Sequence, residues 1–153
     1  LDHAGGVADL LKQQAVPVWG PHADDGYLLE SLPQTTASYA SYGFPIAEAF
    51  VPDGWLSEGG KLKVGAYEFD VLHIPGHTPG HVVFYCAAEK LLIAGDVLFY
   101  ESIGRTDFPG GNHADLISNI TGKLLVLPED TRVIPGHGRM TTIGHEKRHN
   151  PFL

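Results

Sequence analysis

The chain has 153 residues, of which 43% are hydrophobic and 18% charged, and a formal net charge of −8 at pH 7 with histidine counted as neutral. This length suffices for one domain with a substantial core. The acidic balance argues against a nucleic-acid partner, because that binding depends on clustered Lys and Arg. Cys86 is the single cysteine, so no internal disulfide can form, and a reducing compartment such as the cytoplasm is expected. No apolar run is long enough to span a membrane.

The chain opens on Leu1-Asp2-His3-Ala4-Gly5-Gly6. This segment leads directly into residues 7–14, whose apolar spacing predicts a helix. Asp2 and His3 would lie at the N-terminus of that helix. Taken alone, they are better interpreted as a helix cap with a chance histidine beside it. Because the first residue is not Met and no leader precedes the helix, we expect the sequence to begin within a longer protein.

The next segments predict helix and strand in alternation. Residues 15–20 are predicted as a short strand, and Asp24 and Asp25 as caps of a helix that extends to about Leu32. Residues 33–52 are predicted as a connecting segment with one short helix, whose aromatic side chains cover the core. Helix followed by strand favours a layered α/β fold.

The middle of the chain predicts an antiparallel meander. Residues 61–74 alternate between apolar and polar around a tight turn at Gly65-Ala66, which predicts a β-hairpin. Strands at 81–85 and 91–94 follow, so the meander extends over residues 61–96.

The C-terminal third mixes a loop, two helices and a strand. Residues 97–111 are rich in turn residues and are predicted as a loop. Residues 112–127 have the apolar spacing of an amphipathic helix, and residues 132–134 are predicted as a strand. Residues 141–151 predict a short capped helix that ends before a proline.

One short sequence motif occurs three times. Each copy is an apolar run, interpreted as a buried strand, that is closed by glycine and then presents one His or Asp. The three runs lead into Pro75-Gly76-His77, Ala94-Gly95-Asp96 and Pro135-Gly136-His137. His and Asp side chains converging from three strand ends indicate ligands of a metal. The alternative is three ordinary strand-to-turn exits, where Gly and Asp are common.

Two further residues, Arg105 and His81, are candidates for supporting roles around the three repeated motifs. Arg105, in the predicted loop, could bind a carboxylate of a substrate, because long loops near a site often carry such contacts. Equally, Arg105 could pair with Asp107 or Glu101 and only hold the loop. His81 is interpreted as a packed or backbone-bonded residue behind the ligands rather than a ligand itself.

Together these motifs resemble those of the metallo-β-lactamase superfamily, and within it the glyoxalase II-like (hydroxyacylglutathione hydrolase-like) proteins of the short bacterial type. That family carries His-x-His-x-Asp-His, then Gly-His-Thr-Pro-Gly, then Gly-Asp, then Pro-Gly-His. Here Leu1-Asp2-His3 resembles the end of the first motif, and residues 76–80, 95–96 and 135–137 resemble the other three. Residues 104–111 and the ending Asn150-Pro151-Phe152 are similar to the short bacterial branch, which lacks a separate helical domain that binds glutathione.

The resemblance implies an α/β (α+β) fold, the four-layered αββα sandwich of the superfamily, without its N-terminal strands in this chain. It implies one domain over residues 1–153 that is incomplete at the N-terminus. The first two histidines of the family's first motif would precede Leu1.

The resemblance also implies the metal ligands. Two divalent metal ions are expected, zinc first, with iron or manganese as alternatives. His77 and Asp96 would hold one ion together with the two preceding histidines. Asp2, His3, Asp96 and His137 would hold the other, so that Asp96 bridges the pair and Asp2 helps to orient a metal-bound hydroxide.

The activity implied by the resemblance is hydrolysis of a thioester, in S-lactoylglutathione or a related acylated thiol. A small-molecule substrate is therefore the expected partner, with no nucleic acid and no membrane. A mononuclear iron persulfide dioxygenase of the same fold is the alternative enzyme. An inactive, truncated fragment is the non-enzymatic alternative.

Overall fold

The computed structural model describes residues 1–153, and all of its multi-residue strands lie in the C-terminal two thirds. Contacts between Cα atoms divide the chain into two compact units, Leu1–Trp55 and Leu56–Leu153. The expected single domain over 1–153 stays a prediction. No helix is both long and apolar enough to cross a membrane.

The first unit is mainly helical. The bounds are α1 Val7–Gln13, α2 Gly26–Glu30 and α3 Leu32–Ser38, with 3-10 turns at Ala23–Asp25 and Ala40–Tyr42. The predicted helix after Gly6 and the predicted short helix after Pro33 are therefore confirmed. Lys12 in α1 forms ion pairs with Asp9 and Glu48, which hold the helix against the segment that follows α3.

Three predictions for the first unit differ from the structure, wholly or in part. Residues 15–20 form no strand, because Trp19 makes only an isolated parallel bridge with Gly54. The His22 side chain caps the 3-10 turn at Ala23–Asp25 by accepting from the backbone N–H of Asp24. Asp25 occupies the N-cap position of α2, but it makes no side-chain cap hydrogen bond there. Three of the aromatic side chains after α3, those of Tyr39, Tyr42 and Phe44, are exposed and do not cover a core, whereas Phe50 is half-buried.

The second unit contains eight strands and two helices. The bounds of the strands are β1 Lys61–Val64, β2 Tyr67–His73, β3 Val82–Cys86, β4 Leu91–Gly95, β5 Leu98–Phe99, β6 Ser102–Ile103, β7 Arg132–Pro135 and β8 Thr141–Thr142. The helices are α4 His113–Asn119, which continues as a π-helical turn over Ile120–Leu124, and α5 Ile143–His149. The predicted meander is confirmed, whereas the predicted loop over 97–111 contains the small hairpin of β5 and β6.

The main sheet has the strand order β1-β2-β3-β4-β7-β8. Strands β1 to β4 pair antiparallel in sequence order, and β4 pairs with β7 in parallel. Strands β2, β4 and β7 therefore run in the same direction, and their carboxyl ends meet at one edge of the sheet. This topology explains how three motifs that are far apart in the sequence reach the same place.

A buried apolar cluster lies between the sheet and α4, its π-helical turn and α5. Its fully buried members are Ile74, Val83, Leu92, Ala94, Val97, Leu98, Leu116, Ile120, Leu124, Val133 and Ile143. Each large aliphatic side chain buried in this way contributes about 1.5–3 kcal/mol relative to exposure. The cluster fixes the strand ends, since Ile74, Ala94 and Val97 belong to the runs that lead into or follow the repeated motifs.

Both helices of the second unit begin at polar caps, of which only the cap of α5 was predicted from the sequence. The Asn112 side chain accepts from the backbone N–H of Asp115 at the start of α4, and Thr142 accepts from that of His145 at the start of α5. Such caps satisfy backbone donors that have no partner within the helix. The amphipathic helix is shorter than predicted, because regular turns end at Leu124.

Candidate metal centre

Asp96 lies at the centre of the candidate site. It follows β4 directly, and its side chain is only 14% exposed. Its Oδ2 atom lies 3.7 Å from Nε2 of His77 and 3.5 Å from Nε2 of His137. The three residues that end the repeated motifs are thus brought together at the carboxyl edge of the sheet.

These distances indicate the kind of site. They exceed the range of about 2.7–3.2 Å for an N–H···O hydrogen bond. Two donor atoms on one tetrahedral zinc ion, each about 2.0–2.2 Å from the metal, are separated by roughly 3.3 Å. Two imidazoles around one carboxylate are also a donor set that suits zinc, iron and related metals. The residues present therefore fit a transition-metal site.

The imidazole of His77 is held in one tautomer. Its Nδ1 atom lies 2.8 Å from the backbone oxygen of Arg105. A carbonyl oxygen can only accept, so Nδ1 carries the proton and the Nε2 lone pair faces Asp96. A hydrogen bond of this kind fixes the ring orientation of a ligating histidine.

The loop after β6 reinforces this arrangement. The ring of Phe108 packs edge-on against His77, with the ring centroids 5.5 Å apart. The guanidinium of Arg105 lies 4.3 Å above the Phe108 ring and makes a two-fold ion pair with Asp107 at 2.6 Å. Of the two interpretations of Arg105, the pairing with Asp107 is present. A contact with substrate stays a prediction.

The Arg105–Asp107 pair gives a pH-dependent prediction. The hydrogen bonds from Arg105 lower the pKa of Asp107 from 3.8 to about 2. A depressed folded-state pKa stabilises the loop above pH 3.8, and this contribution is lost as the pH falls towards 2. We expect Arg105→Gln to return the pKa of Asp107 towards its ordinary value, measured by carboxyl NMR titration. An unchanged pKa in this variant would show that another group lowers it.

His81 holds the backbone of Asp96. Its Nε2 atom accepts from the Asp96 N–H at 3.1 Å, which confirms the expectation that it bonds the backbone behind the ligands. Gly95 permits this approach, because a Cβ there would lie 2.7 Å from Cε1 of His81, and its φ is +49°. The backbone conformation at the end of β4, which places Asp96, therefore depends on Gly95 and His81.

Gly104 packs tightly against the site from the other side. A Cβ at this position would lie 1.9 Å from the backbone oxygen of Asp96 and 3.3 Å from Nδ1 of His77. The backbone N–H of Gly104 donates to the oxygen of Val97 at 3.1 Å. The chain therefore leaves the site at Val97 and returns to it at Gly104.

His137 is the more exposed of the two imidazoles near Asp96. Its side chain is 56% exposed, against 13% for His77. The ring of Phe99 lies beside it, with the ring centroids 6.4 Å apart. The site is therefore more open on the His137 side than on the His77 side.

Asp2 and His3 belong to the first unit. They lie in the turn before α1, both are exposed, and Oδ2 of Asp2 is 3.8 Å from Nε2 of His3. Their membership of the metal centre stays a prediction from the sequence motif.

Residues 1–137 match the family model described as the metallo-beta-lactamase superfamily. The chain belongs to this superfamily. It is 47% identical over 154 residues to the hydroxyacylglutathione hydrolase GloC of Haemophilus influenzae. The alignment covers 100% of this chain and 71% of GloC. The predicted superfamily, and its glyoxalase II-like branch, are therefore confirmed.

Solved structures of the superfamily have the same fold. The chain superposes on the B3 metallo-beta-lactamase BLEG-1 with a TM-score of 0.85 and 43% identity, over 98% of this chain and 71% of that one. It superposes on a di-iron-bound form of TTHA1623 with a TM-score of 0.84 and 40% identity, over 99% and 72% of the two chains. The predicted fold class is thereby confirmed, and divalent-metal binding follows as a property of this fold.

Three features of the site escaped sequence reasoning. They are the carbonyl of Arg105 on His77, the close packing of Gly104 and the Phe108 ring beside His77. A backbone carbonyl has no signature in the sequence. The run Gly104-Arg105-Thr106-Asp107-Phe108 is rich in turn residues, but turn chemistry alone does not say which ligand the loop packs against.

Proposed function

We propose that this chain carries the catalytic centre of a thioester hydrolase that acts on S-lactoylglutathione or a related acylated thiol. The observation that carries the metallo-hydrolase assignment is the Asp96 carboxylate lying between two imidazoles, at 3.5 and 3.7 Å. The thioester is supported by the likeness to the hydroxyacylglutathione hydrolase GloC.

The proposed ligand sets follow the family motifs. His77 and Asp96 take part in one site, and Asp96 and His137 in the other, with Asp2 and His3 assigned to the second by their motif. We propose zinc, while the solved relative TTHA1623 is a di-iron-bound form. When bound, such ions would lower the pKa of a coordinated water, so that hydroxide is available near neutral pH, and would stabilise negative charge on a carbonyl oxygen.

The side chains of this chain prepare the centre for that chemistry. Asp96 would serve both positions, because its Oδ2 faces both imidazoles and its charge would offset the repulsion between cations. The carbonyl of Arg105 fixes the tautomer of His77, so its lone pair is available without reorganisation. His81 holds the backbone of Asp96. Preorganisation of this kind lowers the barrier, since nothing needs to rotate during the reaction.

Turnover of S-lactoylglutathione by the metal-loaded protein tests the substrate. Matched reactions with an oxygen ester and a β-lactam serve as comparisons, because the solved relative BLEG-1 is named a metallo-beta-lactamase. We expect the thioester to have the highest kcat/KM. Cleavage of the lactam or the ester without cleavage of the thioester would remove the substrate assignment and leave the metallo-hydrolase.

Metal analysis distinguishes the alternative enzyme. A persulfide dioxygenase with one iron per chain would need only the site that contains His77 and Asp96. The presence of His137 beside Asp96 supports a second ion. One iron per chain, together with oxygen consumption on glutathione persulfide, would replace the hydrolase.

A further inference from the structure

Glu146, on α5, is a fully buried carboxylate, with 0% of its surface exposed. Its Oε2 atom accepts from the backbone N–H of Glu101 at 2.9 Å and from Nδ2 of Asn150 at 2.8 Å. Its Oε1 atom accepts from the hydroxyl of Thr141. A buried carboxylate is costly unless its oxygens are hydrogen-bonded, and all three of these donors are themselves fixed parts of the fold.

Two of these contacts hold the tip of the β5–β6 hairpin. The pairs Leu98–Ile103 and Phe99–Ser102 leave only Tyr100 and Glu101 in the turn. Glu101 has a φ of +51°, a conformation that usually requires Gly or Asn in a tight turn. A residue keeps such a conformation only where its surroundings enforce it. Glu146 binds its N–H, and Asn150 also donates to the oxygen of Ser102 at 3.0 Å.

The two ends of this hairpin are parts of the candidate metal centre. Its first strand follows Asp96 after one residue, and the base is closed by the bond from Gly104 N–H to the oxygen of Val97. The next residue, Arg105, accepts from Nδ1 of His77 through its carbonyl. The hairpin thus sets the spacing between the Asp96 carboxylate and the His77 ring.

The third site residue is connected to the same carboxylate. The Phe99 ring of the hairpin lies beside His137. Thr141, four residues after His137, donates its hydroxyl to Glu146. Contacts from one buried side chain therefore reach the segments that carry all three site residues.

We propose that Glu146 is a positioning residue of the metal centre: by holding the β5–β6 hairpin it fixes the separation of the His77 and Asp96 ligand atoms. The proposal rests on the metal centre in the proposed function but not on the thioester. Glu146 acts as an acceptor for the hairpin N–H and for Asn150, and its charge is not required for that task.

Zinc affinity, measured by competition with a chromogenic chelator, tests the proposal. Glu146→Met removes both acceptor oxygens and keeps a side chain of similar length. We expect its zinc affinity to fall about 10–100-fold, as for other residues that orient ligands. Glu146→Gln keeps one oxygen for Glu101 and Asn150, and its NH₂ can donate to the Thr141 hydroxyl, which can also accept. We expect its affinity to stay within roughly threefold of wild type.

A second readout is the absorption spectrum of the cobalt-substituted protein, which reports ligand geometry. Glu146→Met should change the ligand-field bands, while Glu146→Gln should keep the wild-type spectrum. Val71→Ala is the matched control, because it trims a fully buried β2 side chain that lies outside the apolar cluster to which Leu98 of the hairpin belongs. It should lower Tm and leave zinc affinity unchanged.

Each result decides the proposal. Wild-type affinity and spectrum in folded Glu146→Met would overturn it, as would an equal loss in Val71→Ala, which would reduce the effect to general stability. An equal loss in Glu146→Gln would also overturn it, because charge rather than anchoring would then matter. If Glu146→Met does not fold, Asn150→Ala replaces it, with a loss of zinc affinity expected and an unchanged affinity overturning the proposal. Failure to cleave thioesters leaves these measurements unaffected, so the two proposals can fail separately.

Discussion

Replacing Asp96 with alanine is expected to eliminate two-metal occupancy and to reduce hydrolysis by more than about 100-fold. Removing a residue that only orients a ligand typically costs 10–100-fold, and Asp96 is the carboxylate that lies within 3.7 Å of both imidazoles. Without it, the two nitrogens have no shared oxygen between them, and the repulsion between two cations is no longer offset. Metal content by elemental analysis and kcat/KM on S-lactoylglutathione measure the two effects.

Two further variants serve as a control and a comparison for Asp96→Ala. Asp130→Ala removes an exposed carboxylate that pairs with Lys90, and it should change neither metal content nor rate, since surface ion pairs contribute about 0–1 kcal/mol. His77→Ala should lower the occupancy of one site more than that of the other. Two metals per chain in folded Asp96→Ala would contradict the bridging role.

The convergence of the site was predictable because the repeated motif combines two independent signals. A buried apolar run predicts a strand, and glycine followed by His or Asp predicts where its polar end lies. The parallel orientation of β2, β4 and β7 then follows from a meander of four strands and one crossover through α4. His77, Asp96 and His137 could therefore be placed together from the sequence, although their distances could not.

The first unit was harder to predict because its signals are local. The run 15–20 has the composition of a strand, yet Trp19 finds only Gly54 as a bridge partner, and a strand needs a neighbour to satisfy its backbone. The His22 cap was missed because Asp is the commoner cap, and histidine acts as one only in the tautomer that leaves Nδ1 free to accept.

The groups that hold the metal-ligating side chains in place could not be predicted either. The bond from His77 to the Arg105 carbonyl depends on where the loop backbone lies. The contacts of Glu146 depend on a turn whose Glu101 has a positive φ. Residue types indicate which side chains bind metal, whereas the backbone conformation decides which groups hold those side chains in place.

Gly104→Ala should be nearly as damaging as loss of a ligand, although it adds one methyl group. That carbon would lie 1.9 Å from the Asp96 oxygen, and both atoms are attached to backbone that cannot rotate away. The hairpin or the Asp96 turn must therefore move by more than 1 Å. Because a misplacement of about 1 Å can cost roughly 100-fold in rate, we expect kcat/KM and zinc affinity to fall steeply while the helical signal in circular dichroism persists.

Gly122→Ala is the matched control for that experiment. It makes the same chemical change in the π-helical turn, where an added Cβ would meet nothing within 4 Å. It should stabilise the protein by about 0.4–1 kcal/mol, because alanine has less freedom in the unfolded chain, and it should leave zinc affinity unchanged. Wild-type affinity in Gly104→Ala would mean that the loop can withdraw from Asp96 without moving His77. The Arg105 carbonyl would then not be what fixes the imidazole, since the same short segment carries both groups.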